Sequence, residues 1–374
     1  MPRIRRRFLV DPAEVGIYHC INRCVRRSFL CGSDPVSGKN YEHRRQWMQD
    51  RIQFLAGHFG IDVLGFAVMS NHFHVIVRNR SDIVQGWSDT EVARRWWHLF
   101  PKRRDDQGNP KEPTDFELQM ITANSVRFVE IRQRLSSVSW FMRCLVEPIA
   151  RSANREDVCT GRFWEGRYRC QPILDESALV ACLAYVDLNP IRARVAETPE
   201  TSRFTSVYER IQALDQTEQR HGTPAVQPAS PSPDYEPRAR RGSGRFLAKR
   251  NSMQGRADWL SPFELSNASA DEPIQTARAS NKGCLPMSFG EYVELLDWTG
   301  RQLRADKRGA IPADLAPILE RLHIGGEEGW MQLMGRFSRL FRRAAGTPQS
   351  LHREREQRGC RVMQGLPFSR AVFI

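Results

Sequence analysis

The stretch VLGFAVMSNHFHVIV, residues 63–77, decides how this chain is read. It is apolar almost throughout, is interrupted by the polar pair Ser70-Asn71, and carries His72 and His74 after that pair. Two short apolar runs around a turn-forming pair predict a β-hairpin. Residues two apart in a strand share a face, so His72 and His74 present two imidazoles side by side while Phe73 points the other way. With nine histidines in 374 residues, roughly 0.2 such pairs arise by chance. Taken alone, the pair fits a two-point metal clamp or two hydrogen-bonded core histidines equally well.

Working outward, VGIYHCINRCV (15–25) alternates as a strand, and YEHRRQWMQDRIQFLAGHFG (41–60) spaces Trp47, Ile52, Leu55 and Phe59 as a helix stopped by Gly60. DTEVARRWWHLF (89–100) predicts a short helix, followed by a polar insertion rich in Pro, Gly and charge. A long helical pattern runs from about Asn124 to Asn154, with Pro148 expected to break or kink it. RFWEGRYRCQPIL is a strand candidate, and DESALVACLAYVDLNP a helix with Asp175 as N-cap that ends before Pro190. Residues 1–210 read as one α+β domain. Residues 211–286, rich in Pro, Ser and Arg, read as a basic disordered linker, and 287–374 as a small helical module of its own. On that division a fragment ending near residue 215 folds alone.

The formal net charge of +13 points to a polyanionic partner, most simply nucleic acid. Arg3, Arg5, Arg6 and Arg7, and the cluster Arg238, Arg240, Arg241, Arg245, Lys249 and Arg250, are candidates for the DNA backbone; solvated charge is the plain alternative. Nine cysteines without a C-x-x-C pair support neither a zinc ribbon nor a redox motif and suit a reducing compartment. The basic N-terminus lacks the apolar core of a secretory signal, and no apolar run reaches membrane-spanning length. A cytoplasmic protein, associated with the nucleoid, is expected.

In ACLAYVDLNPIRA, Tyr185 and Asn189 stand one helical turn apart, offering a phenol and an amide on one face. Asn189 as a helix cap beside a half-buried tyrosine is the competing reading. With His72-Phe73-His74, this Tyr-x-x-x-Asn-Pro helix resembles the HUH superfamily of single-strand DNA nucleases, and within it the REP-associated tyrosine transposases. GRFWEGRYRCQ (161–171) looks like that family's segment before the tyrosine helix. The resemblance covers roughly residues 10–210; it leaves the insertion near 79–123 and everything beyond 210 without a role.

The resemblance implies an α+β fold, a ferredoxin- or RRM-like antiparallel sheet with helices packed on it, extended here by C-terminal helices. It implies a divalent ion, Mg²⁺ or Mn²⁺, on His72, His74 and a third ligand at Asn189, where other branches carry glutamine. Tyr185 is then the nucleophile that cleaves single-stranded, hairpin-flanked DNA through a 5′-phosphotyrosine, in a monomer or homodimer with no membrane partner. Tyr168 is the rival nucleophile, Glu165 a candidate proton carrier, and Phe163 and Trp164 candidate base-stacking rings. Two other readings stand beside it. One is a domesticated, non-catalytic DNA-binding repressor of repeated palindromes. The other is a zinc hydrolase or deaminase, which lacks its H-E-x-x-H or H-x-E with P-C-x-x-C motif here.

Overall fold

Ser70 and Asn71 do form the turn. Strands β2 (Ile61–Val68) and β3 (His72–Asn79) pair antiparallel on either side of it, and the Met69 amide donates to the His72 carbonyl at 2.9 Å. Strand β1 (Ile17–Arg23) pairs with β3, and β4 (Arg169–Ile173) with β1, giving an antiparallel sheet in the order β2-β3-β1-β4. The computed structural model describes residues 10, 14–25, 30–33, 38–220, 256–265, 278–303, 316–360 and 362–373. The arginine clusters at 3–7 and 238–250 lie outside them.

Helices cover both faces. On one, Tyr18, Cys20, Phe73, Val75 and Val77 pack with Ile52 and Leu55 of α1 (His43–Ala56) and Phe141 and Leu145 of α6 (Val138–Glu156). The connection between β3 and β4 holds α2 (Ser81–Gly86), α3 (Asp89–Leu99), α4 (Asp115–Thr122), α5 (Ser125–Leu135) and α6. The helix expected over 124–154 is therefore two, parted at Ser136-Ser137, where the Ser137 side chain caps α6. Pro148 does not break α6. It removes one donor and leaves the Cys144 carbonyl without its helical partner, and Arg51 Nε donates to that oxygen at 2.9 Å.

On the other face α7 (Glu176–Asp187) lies across the sheet, capped at Ala178 N by Asp175 as expected. Gly65 permits the approach, since a Cβ there would sit 2.5 Å from Leu183 Cδ2. The remaining helices are α8 (Asn189–Arg192), α9 (Ser206–Arg220), α10 (Phe289–Gln302), α11 (Ala316–Arg321), α12 (Gly326–Leu340), α13 (Pro348–Gln357) and α14 (Leu366–Val372). α7 ends at Asp187, before Pro190 as expected, and Pro190 sits in the first turn of α8.

The C-terminal helices share one buried core with α7: Leu179, Leu183 and Tyr185 pack with Leu295, Trp330, Leu333 and Phe337. Asp187 ties the parts together, accepting from Ser206 Oγ at 2.7 Å, Val207 N at 3.2 Å and Tyr292 Oη at 2.7 Å. Part of the stretch expected to be linker is also packed. Trp259 is fully buried against Phe66, Ser261 N donates to the Val63 carbonyl, and Ser280 Oγ donates to Asp62. A core that crosses residue 210 removes the physical basis for a fragment ending there to fold by itself.

Candidate active site

Alternation and register place the site. His72 and His74 share the α7-facing side of β3; across the ladder Arg23 lies opposite His72 and Ile21 opposite His74. His19, two residues before Ile21 on β1, points to the same face, and Gln171 on β4 lies opposite His19. Four polar positions from three strands thus meet beneath α7. A cavity of about 330 Å³ opens on two of them, His72 and His74, and is lined also by Tyr185, Ser338, Glu165, Arg23, Arg167 and Arg169. Tyr185 and the two histidines therefore line one space, with the His74 and Tyr185 ring centres 6.0 Å apart and the two imidazoles 5.0 Å apart.

A chain of hydrogen bonds fixes the proton positions. Gln171 Nε2 donates to the Phe341 carbonyl, which can only accept, so Gln171 Oε1 faces His19 Nδ1 at 3.4 Å. His19 then carries its proton on Nδ1, and its Nε2 accepts from His74 Nδ1 at 2.8 Å. That leaves His74 Nε2 as a bare lone pair, and this atom is buried with no partner. His72 Nδ1 is likewise engaged, by Asn71 Oδ1 at 2.6 Å. Burial is the first cause of low basicity at all three rings. His19 is lowered to about 3, with Arg169 adding to burial and Gln171 opposing it. His72 is lowered to about 4 by burial and Arg23. His74 is pushed well below the usual histidine range by burial, then by His19 and His72. Neutral imidazoles with Nδ1 engaged are in the form that ligates a metal through Nε2.

Asn189 is placed differently. It opens α8, is buried, and does not line the cavity, and its Nδ2 has no hydrogen-bond partner. Among the described residues no group of three or more His, Cys, Asp and Glu side chains is arranged to hold a metal ion. The donors that fit a divalent ion at the cavity are the two imidazoles, His74 Nε2 being the orphaned atom that such an ion would satisfy. Tyr168 faces the other side: it is buried in the α1–α6 core with its hydroxyl 3.2 Å from Ser139 Oγ. Phe163 and Trp164 belong to that core as well, so neither ring is offered to a base.

Tyr185 is covered. Its hydroxyl donates to Ser338 Oγ at 3.1 Å, its ring stacks on Phe337 at 5.6 Å, and the Arg192 guanidinium lies 4.4 Å over its ring centre. Only 7% of the residue is exposed. Arg169 Nη2 donates to the Ser338 and Phe341 carbonyls, so the end of α12 is held against the cavity from β4 as well. His19, Gln171 and Ser338 were not singled out in the sequence. The only signal for His19 is its position in an alternating strand; Gln171 and Ser338 give none without the strand register.

No protein-family model and no curated protein matches this chain. Among solved structures, one similar chain is a REP-associated tyrosine transposase bound to a REP hairpin. It is 12% identical, and the overlap spans 65% of this chain and 100% of that one with a TM-score of 0.33. A likeness of that size establishes neither fold nor function. No helix among the described residues is long and apolar enough to cross a membrane.

Proposed function

We propose that the chain is an HUH-type single-tyrosine transposase that cleaves and rejoins single-stranded, hairpin-flanked DNA. The observation that carries this reading is the meeting of Tyr185, His72 and His74 in one basic cavity, from segments more than a hundred residues apart. The βαββαβ succession and the order β4-β1-β3-β2 support a ferredoxin-like core beneath it.

In this reading His72 and His74 would hold a divalent ion, Mg²⁺ or Mn²⁺; Asn189, which lies outside the cavity lining, would have to turn into the cavity to serve as the third ligand. The ion, when bound, polarises a non-bridging phosphate oxygen. Arg23, Arg167 and Arg169 hold the backbone in the cavity. The Tyr185 oxygen attacks the phosphorus of one phosphodiester, the phosphorus–O3′ bond breaks, and O3′ takes a proton from water to leave as a free 3′-hydroxyl. The phenolic proton passes to Glu165, the carboxylate of the cavity, or to water. The resulting 5′-phosphotyrosine conserves the ester, and a second 3′-hydroxyl reverses the step without ATP. A site of this kind works in the cytoplasm on nucleoid DNA, as a monomer or homodimer.

The burial of the Tyr185 hydroxyl against Ser338 favours one alternative, a DNA-binding repressor in which catalysis is silent. Denaturing gels of the protein with a labelled single-stranded hairpin and Mn²⁺ separate the two. The nuclease reading expects a covalent protein–DNA band that is lost in Tyr185→Phe and in His72→Ala while hairpin binding persists. A band that survives Tyr185→Phe removes the assignment, and binding without any band in the unaltered protein leaves the repressor.

A further inference from the structure

Among the described residues, three buried polar atoms without a hydrogen-bond partner stand around Tyr185: His74 Nε2, Asn189 Nδ2 and Arg192 Nη1. The first is a lone pair and suits a cation. The other two are donors, and a buried donor left unpaired asks for an acceptor. Asn189 can meet that need by turning its amide over. A guanidinium only donates, so Arg192 has no such way out.

Helical spacing brings Arg192 to the nucleophile. Tyr185, Asn189 and Arg192 stand at i, i+4 and i+7, one stripe carried from α7 into α8. Leu188, between the two helices, keeps helical dihedrals, and Arg192 N donates to the Leu188 carbonyl at 2.9 Å. The guanidinium lies 4.4 Å over the Tyr185 ring centre, and its charge bears on the His74 imidazole. A ring face offers π density but no lone pair, so this contact attracts the cation and leaves Nη1 unsatisfied. Arg23, Arg167 and Arg169 line the cavity from β1 and from β4 with the residues before it. Arg192 is instead tied to the helices that carry the phenol.

We propose that Arg192 holds the charge of the phosphate under attack, with Nη1 donating to a non-bridging oxygen as the Tyr185 oxygen approaches phosphorus. This deepens the reading of the chain as a single-tyrosine DNA enzyme and rests on it. A donor already desolvated beside the nucleophile needs no rearrangement when the phosphate arrives, and it acts where charge is greatest. Loss of the guanidinium therefore costs rate, whereas hairpin affinity comes from contacts elsewhere.

The test uses the full chain, Mn²⁺ and a labelled single-stranded hairpin in two forms, with an ordinary phosphodiester or a neutral methylphosphonate at the scissile position. Arg192→Gln is expected to slow adduct formation on the phosphodiester about 100-fold, with hairpin affinity held within about threefold. On the methylphosphonate, which has no charge to hold, the unaltered and variant rates are expected within about threefold of each other. Arg192→Lys keeps the cation without the fork and is expected to regain about tenfold of the lost rate. A residue that only props the Tyr185 ring would slow both substrates alike, and equal slowing, or none, would overturn the proposal. A second measurement needs no catalysis. In EDTA the unaltered protein is expected to bind a strand ending in 5′-phosphate about tenfold more tightly than one ending in 5′-hydroxyl, and Arg192→Gln to lose most of that preference. No preference at all, or the same preference in the variant, would overturn the proposal whether or not an adduct forms. Absence of an adduct in the unaltered protein counts against the nuclease reading instead, so failure of either idea is seen separately.

Discussion

On one face of the sheet Tyr18, Cys20, Phe73, Val75 and Val77 meet a wall of apolar side chains from α1 and α6. On the other, His19, His74 and Gln171 form a hydrogen-bonded row that ends in a bare imidazole nitrogen beneath Tyr185. The same alternating strands supply both. The first face needs only volume and apolarity, which a few kinds of side chain satisfy interchangeably. The second needs each donor matched to an acceptor, and its last partner, the Phe341 carbonyl, comes from the opposite end of the chain. The difference teaches that the distal helices belong to the chemistry-bearing face, whereas the apolar face closes without them.

That comparison breaks most visibly on truncation. Ending the chain near residue 215 strips the cover from Leu179, Leu183 and Tyr185 and leaves the buried Asp187 carboxyl without Tyr292. The fragment is expected to lose its cooperative thermal transition and to bind a hydrophobic dye. A sharp melt close to that of the full chain would show that the two faces are energetically separate after all.

The next effect is a stability loss on the apolar face. Phe141→Ala is expected to destabilise by about 3–5 kcal/mol in denaturant melts while leaving any covalent adduct per folded molecule unchanged, because Phe141 is buried away from the cavity. A proportionate loss of adduct would mean that the faces are coupled through the sheet. Gln171→Ala on the polar face is expected to cost less, about 1–3 kcal/mol, by unpairing a buried carbonyl and a ring nitrogen. It should also shift the ¹⁵N resonances of His19 and His74 toward mixed tautomers. Unchanged imidazole shifts would rule out the proton order assigned to that row.

The last test concerns pH. His58, on the α1 side, is lowered to about 3 mainly by burial, with the Phe54 carbonyl opposing. Its neutral form is native, and the unfolded chain protonates first, near 6.5. Its contribution to stability is therefore full above pH 6.5 and lost as pH falls toward 3, with a slope of about 1.4 kcal/mol per pH unit for one proton. His58→Gln is expected to flatten the acid limb of the stability profile by that amount. An unchanged limb would place the acid sensitivity in the polar row alone.

Much of this was legible in the sequence, and the boundary is physical. Local signals held: Ser70-Asn71 turns the hairpin, Asp175 caps α7, and the alternation sends His72 and His74 to one side. What failed depended on partners far along the chain. Pro148 leaves α6 intact because Arg51 takes up the freed carbonyl, and His19 acquires meaning only when β1 is laid beside β3 and β4. Asn189 stands one turn from Tyr185 as the spacing requires, yet is buried outside the cavity lining. The segment at 256–265 reads as part of a polar tract, but Trp259 anchors it on Phe66.

The two-residue turn at Ser70-Asn71 makes the hairpin a counting device. Lengthen it by one residue and β3 slides a single step against β1 and β2, so every side chain changes face. Phe73 would then sit beneath Tyr185, and both imidazoles would be thrust among Ile52, Leu55 and Phe141. No atom of the histidines would have been altered, yet the chain would have neither its apolar core nor its cavity. Changes of length in this loop are thus far more dangerous to the molecule than changes of identity.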